Sequence, residues 1–173
     1  MQQAGQPDSR YGKIRDLKTF AKAVSFLQVN NISTLSELQE TLSKMKKRYW
    51  NTNSEIKQTE KLLHERKELI DQAEKYLLYR DYHKTYKQTK PKKQEEYAER
   101  HRTELALYDR AERYLKEHLG SDTKLRPKAW KAEVADLTAQ KDRLYREVRK
   151  LKEEVAEAEA VKRCAEQAIP PTE

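Results

Sequence analysis

ISTLSELQETLSKMKKRYWNTNSEIKQTEKLLHERKELIDQAEKYL, residues 32–77, returns to an apolar or aromatic residue every seven positions: Leu35, Leu42, Tyr49, Ile56, Leu63, Ile70 and Leu77. At about 100° per residue this repeat stays on one side of an α-helix, which makes it a coiled-coil seam rather than a strand. Leu38, Met45 and Ala73 fill companion positions, Thr52, Thr59 and Arg66 weaken the seam, and Leu62, Leu69 and Tyr76 widen it on the other flank. Thr34 and Glu37 have capping-box spacing, with Ile32 placed before them as a staple. The pattern predicts one helix from about residue 34 to 87, roughly 80 Å long at 1.5 Å per residue.

Upstream, Leu17, Phe20, Val24 and Leu27 mark one stripe of a short N-terminal helix within residues 11–31, which stops at Asn30 and Asn31. Downstream, Trp130, Val134, Leu137, Leu144, Val148, Leu151, Val155, Ala158 and Ala165 step by three and four from a start at Pro127, interrupted by Lys141 and Lys162. Two long seams predict an antiparallel helical hairpin, because each alone leaves its apolar side in water. A homodimeric coiled coil is the competing way to cover them, so a monomeric hairpin or a homodimer is expected. Between the arms, Tyr97, His101, Leu105, Tyr108, Ala111, Leu115 and Leu119 predict a further helix at about 93–119 at the hairpin tip, ended by Gly120. The expected fold class is therefore all-α: a hairpin over 32–167, with flexible tails at 1–10 and 168–173.

Composition agrees, since 38% charged against 36% hydrophobic residues among 173 is too polar for a compact globule. Only 3 glycines and 5 prolines occur, all near the termini or between 91 and 127, so long helices are permitted. No signal-like apolar region or membrane-length apolar run is present, and a cytoplasmic protein without membrane contact is expected. Cys164 is the one cysteine, which excludes an internal disulfide.

The net charge of +8 makes charge location the informative question. Residues 84–93, KTYKQTKPKK, hold Lys84, Lys87, Lys90, Lys92 and Lys93 without an acid; residues 124–131, KLRPKAWK, add Arg126, Lys128 and Lys131. In a hairpin these two clusters meet at the tip. Tyr79, Tyr82 and Tyr86 point away from the seam occupied by Leu63, Ile70 and Leu77. They either pack beneath the next helix with Tyr97 and Tyr108, or stand beside the lysines. In the second case Tyr82, Tyr86 and Trp130 are the rings available to stack on bases while the cations take phosphates. The basic runs 44–50 and 141–152 are interleaved with acids and read as a solvated coiled-coil flank.

No catalytic chemistry is legible. His64, His83, His101 and His118 are too far apart for a helical ligand pair, the glycines are isolated, and no clustered ligands accompany the tyrosines. The expectation is a non-enzyme without metal or cofactor.

The runs DLKTFAKAVSFLQVNNISTLSELQETL, YLLYRDYHKTYKQTK and KLRPKAWKAEVADLTAQKDRLYREV, with the His101, Glu104, Leu107, Ala111, Leu115 spacing, resemble the helical C-terminal region of relaxase/mobilisation proteins from conjugative elements of Gram-positive bacteria. The similarity spans roughly residues 11–167. Those proteins carry a nicking nuclease domain that has no counterpart in these residues, so none of their catalytic residues transfers. The resemblance implies an accessory module of a mobile element that supports DNA mobilisation by binding DNA and proteins of the transfer machinery. If Met1 is a natural start, a detached module of this kind also fits a different use. It would bind and block a nucleic-acid-targeting complex, for example a CRISPR effector. A structural coiled-coil dimer is the third expectation.

Overall fold

The computed structural model describes residues 10–120 and 124–168, and over them the chain is all-helical. The helices are α1 (Arg10–Val29), α2 (Leu35–Gln88), α3 (Pro91–Arg100), α4 (Arg102–Leu119) and α5 (Pro127–Ala168). The expected tails lie outside the described residues except for Arg10 and Ala168, which are helical. The chain divides into two compact units, Met1–Glu55 with Leu144–Glu173, and Ile56–Arg143. Helices α2 and α5 contribute to both.

In the first unit, α1 ends because Asn31 takes a positive φ of 52°. The Ile32 N–H then donates to Leu27 O at 2.9 Å and the Asn31 N–H to Gln28 O at 3.2 Å, a Schellman closure with asparagine in the place usually held by glycine. Three residues later the expected capping box is formed. Glu37 N–H donates to Thr34 Oγ1 at 3.2 Å, and Glu37 Oε2 accepts from the N–H groups of Ser33 at 2.7 Å and Thr34 at 3.1 Å. Ile32 is buried with Leu38 and Leu42, so the corner is closed by apolar contact as well as by hydrogen bonds.

Two predictions test this corner. Asn31→Ala should lower stability by about 1 kcal/mol in urea unfolding whereas Asn31→Gly should not, because a Cβ is penalised in the left-handed region unless its side chain is short and polar. The Ser33 and Thr34 N–H groups hold the Glu37 carboxylate below its ordinary value. A carboxylate lowered in the folded state contributes stability above its ordinary value and loses it as the pH falls through the folded one. Glu37→Gln should therefore melt below the parent at neutral pH, with the gap closing in acid.

The core of this unit joins Ala23, Phe26, Ile32, Leu38, Leu42, Ala158 and Val161. The α1 stripe is thus rotated from the expected one: Leu17 and Phe20 are exposed, Val24 and Leu27 are half-buried, and Ala23 and Phe26 face inward. Val161, absent from the expected α5 seam, is buried at the same level. Ion pairs from Lys46 to Glu159 and from Arg48 to Glu147, each 2.7 Å, set α2 and α5 antiparallel. Thr52 stays within the seam. It is buried, with its hydroxyl donating to Arg48 O at 3.0 Å.

In the second unit the antiparallel pairing is read from Arg66 to Glu133 and Lys131 to Glu74, both 2.8 Å. Such exposed pairs contribute little energy, about 0–1 kcal/mol each, and the burial does the holding. Ile56, Thr59 and Leu63 are buried along α2, and Leu69 and Ala73 join Leu115 of α4 and Trp130 of α5 in one cluster. Leu62 is exposed, so only Leu69 and Tyr76 of the expected flank are covered.

The helix expected at 93–119 is two helices. Pro91 starts α3, after Lys90 takes the extended ψ of 140° that a following proline favours. At His101 (φ −118°, ψ 32°) the axis breaks for one residue, whose N–H still reaches Tyr97 O at 3.0 Å and whose carbonyl accepts from Leu105 at 3.0 Å. The break sets the His101 ring against Tyr97 and Tyr82, with centroids 4.5 and 5.2 Å apart. Gly120, at φ 62°, ends α4 as expected.

Candidate nucleic-acid interface

Beyond about residue 76, helix α2 is covered by α4 and by the α3–α4 junction at His101. Tyr108 of α4 is buried between the rings of Tyr76 and His83, at centroid distances of 4.9 and 4.2 Å, and burial pushes its phenol well above the ordinary range. Tyr82 meets His101 on a second side and lies 6.3 Å from Tyr79. Tyr79, Tyr82 and Tyr86 are all half-buried, and the Tyr86 carbonyl accepts from Gln94 Nε2 at 3.1 Å, which folds α3 back against the end of α2. Of the two partners expected for these rings, Tyr97 joins them through His101, whereas Tyr108 serves Tyr76 and His83 instead.

The face left over is the continuation of the α5-covered seam. Helix α5 begins at Pro127, and Lys131 in its second turn already reaches Glu74. Past that level the seam outruns its partner, so Leu77, the last heptad residue, is exposed, as is Leu78. Arg80, Lys84 and Lys87 follow Leu77 at spacings of three, four and three, which places all four on one strip of the helix. Arg80 was not among the expected cations, although its position four before Lys84 is the signal that finds it.

The expected cations are exposed: Lys84, Lys87, Lys90, Lys92, Lys93, Arg126, Lys128 and Lys131. Among the described residues, Lys131 alone of these forms an ion pair. In the flank runs Lys44, Lys46, Arg48 and Lys150 pair with Glu40, Glu159, Glu147 and Glu154, while Lys47, Lys141, Arg143, Arg146, Arg149 and Lys152 form no ion pair among the described residues. The two clusters enter at different levels of α2. Glu74, the partner of Lys131, precedes Lys84 by ten residues, about 15 Å along the helix. The displacement arises because α4 carries the chain back along α2 before α5 begins.

Trp130 requires a correction. It is only 5% exposed, packed with Leu69, Ala73 and Leu115, and is not a surface ring available for stacking. Tyr82 and Tyr86 keep partial exposure, but at about 100° per residue they lie roughly 100–160° around α2 from Lys84 and Lys87. The exposed indole is instead that of Trp50, at 68%.

Among the described residues, no three His, Cys, Asp or Glu side chains are grouped so as to hold a metal ion, and no helix is long and apolar enough to cross a membrane. No family model matches the chain, and no match was found among the curated proteins or the solved structures.

Proposed function

We propose that this chain is a non-catalytic helical module of a mobile genetic element that supports DNA mobilisation by binding the phosphate backbone, through the outer end of α2 and the start of α3. The observation carrying the reading is the set Lys84, Lys87, Lys90, Lys92 and Lys93, five exposed cations within ten residues that contain no acid and, among the described residues, form no ion pair. Phosphates are the ligand chemistry such a set serves best, since each contact releases condensed counterions. The mobilisation context comes from the relaxase-like sequence pattern and rests on that alone. Binding of a short DNA duplex, followed by anisotropy across a salt series, tests the reading. If all five lysines contact phosphates, the logarithm of the affinity falls against that of salt with a slope of about −4.5. Absence of binding at roughly 50 mM salt sinks it.

A second reading is favoured by Leu77 and Leu78, which stand exposed beside the same lysines. Exposed apolar residues with Arg80 and Lys84 on one flank and Glu74 and Asp81 on the other suit a protein surface, such as that of a nucleic-acid-processing complex that the module engages or blocks. One stoichiometric protein partner retained after nuclease treatment, and lost in Leu77→Ser with Leu78→Ser, supports this alternative.

A further inference from the structure

Trp50 lies on α2 about 160° around from Thr52 at 100° per residue, so it is turned away from the seam. It belongs to no core cluster of the first unit and is 68% exposed, where an indole is costly to leave in water. Its ring is nonetheless oriented, because Tyr49 meets it edge-on at 5.7 Å with an interplanar angle of 71°. The sector of α2 centred on it presents Gln39, Ser43, Lys46, Lys47 and Ser54, all exposed, and no carboxylate. Lys46 leans to Glu159 at 2.7 Å, and among the described residues Lys47 forms no ion pair.

We infer that this face is a stacking platform for an unpaired base of single-stranded DNA, with Lys47 taking the neighbouring phosphate. The choice of DNA rests on the proposed function. A flat indole on the outside of a helix meets no base inside an intact duplex, whereas an unpaired base offers a π-face of matching size. A protein partner is disfavoured by lysine, hydroxyl and amide neighbours, which lack the apolar surround of an interface anchor. A second copy of the chain, related by two-fold symmetry, presents the same sector with Lys46 and Lys47 and no α2 carboxylate, so the cations of the two faces are not complemented. A membrane surface requires an apolar face, and Trp50 has no apolar neighbour in its sector.

The two tryptophans make the test direct. Trp130 is buried, so Trp50 supplies the quenchable emission of the full chain. Titration with oligothymidylate at low salt should quench that emission to saturation, whereas a duplex of equal length should leave it nearly unchanged. Trp50→Ala keeps a helix-favouring residue at an exposed position and should weaken single-strand binding roughly ten-fold. Lys47→Gln should lower the salt slope by about one. Four results overturn the inference: no quenching; equal quenching by duplex; undiminished single-strand affinity in Trp50→Ala; or much tighter binding of oligouridylate. A blue shift that grows with protein concentration without DNA also overturns it and identifies a second copy as the occupant. The proposed function is judged on a separate signal, duplex anisotropy and its dependence on the lysines of residues 84–93, so either reading can fail without the other.

Discussion

Replacing Lys84, Lys87, Lys92 and Lys93 together by glutamate is expected to lower duplex DNA affinity by on the order of a hundred-fold at roughly 50 mM salt, with a much flatter salt dependence. The four side chains are exposed and hold no carboxylate among the described residues, so their loss removes no ion pair there. Glutamate is about as good a helix former as lysine, and at positions 92 and 93 it lies in the first turn of α3, where a negative charge is favourable. The melting temperature should stay within a few degrees, which separates a binding defect from a folding one. As a control, reversing Lys61 and Lys116, which pair with Glu65 and Glu112, changes net charge equally per residue but removes no free cluster. If the control weakens binding as much per charge, the effect is general electrostatics and the assignment to residues 84–93 is wrong.

Trp130→Ala is expected to destabilise the protein by about 3–5 kcal/mol, the usual range for deleting a buried large aromatic. Against a total of about 5–15 kcal/mol this is a large fraction, and the urea midpoint should fall accordingly. The indole sits among Leu69, Ala73 and Leu115, with Ile70, Tyr114, Leu119 and Leu125 around them, so three helices lose a shared partner. Ala73 is fully buried beside it and its small side chain cannot fill the space. Trp130→Phe should recover much of the loss. The alternative, in which Trp130 stacks on bases, predicts unchanged stability and weakened binding in Trp130→Ala, and a melt together with a DNA titration distinguishes the two.

The elements most legible in the sequence are those whose causes are local. The heptad from Leu35 set the extent of α2 to within a residue at each end, the Thr34 and Glu37 pair marked its cap, and Gly120 marked the end of α4. Each rests on periodicity or on hydrogen bonds between residues a few positions apart, which a single strip of sequence contains. The cations of residues 84–93 were legible for the same reason, since a lysine at a polar helix position is exposed almost wherever the helix goes.

Elsewhere the partner helices decided. Sequence periodicity marks a face as apolar without saying where its cover stops, so Leu77 reads as seam until α5 is found to begin too late to reach it. It does not rank a tryptophan beside lysines: Trp130 and Trp50 have similar basic neighbours, yet one is buried by α2 and α4 while the other faces water. It cannot foresee that α4 turns back along α2 and so offsets the two basic runs. Those outcomes depend on the order in which helices stack and on how far each extends, quantities set by burial between residues distant in sequence. Helix identity, charge and the exposed lysines are thus written along the chain, whereas the exposure of the apolar and aromatic candidates is assigned only when the helices are packed.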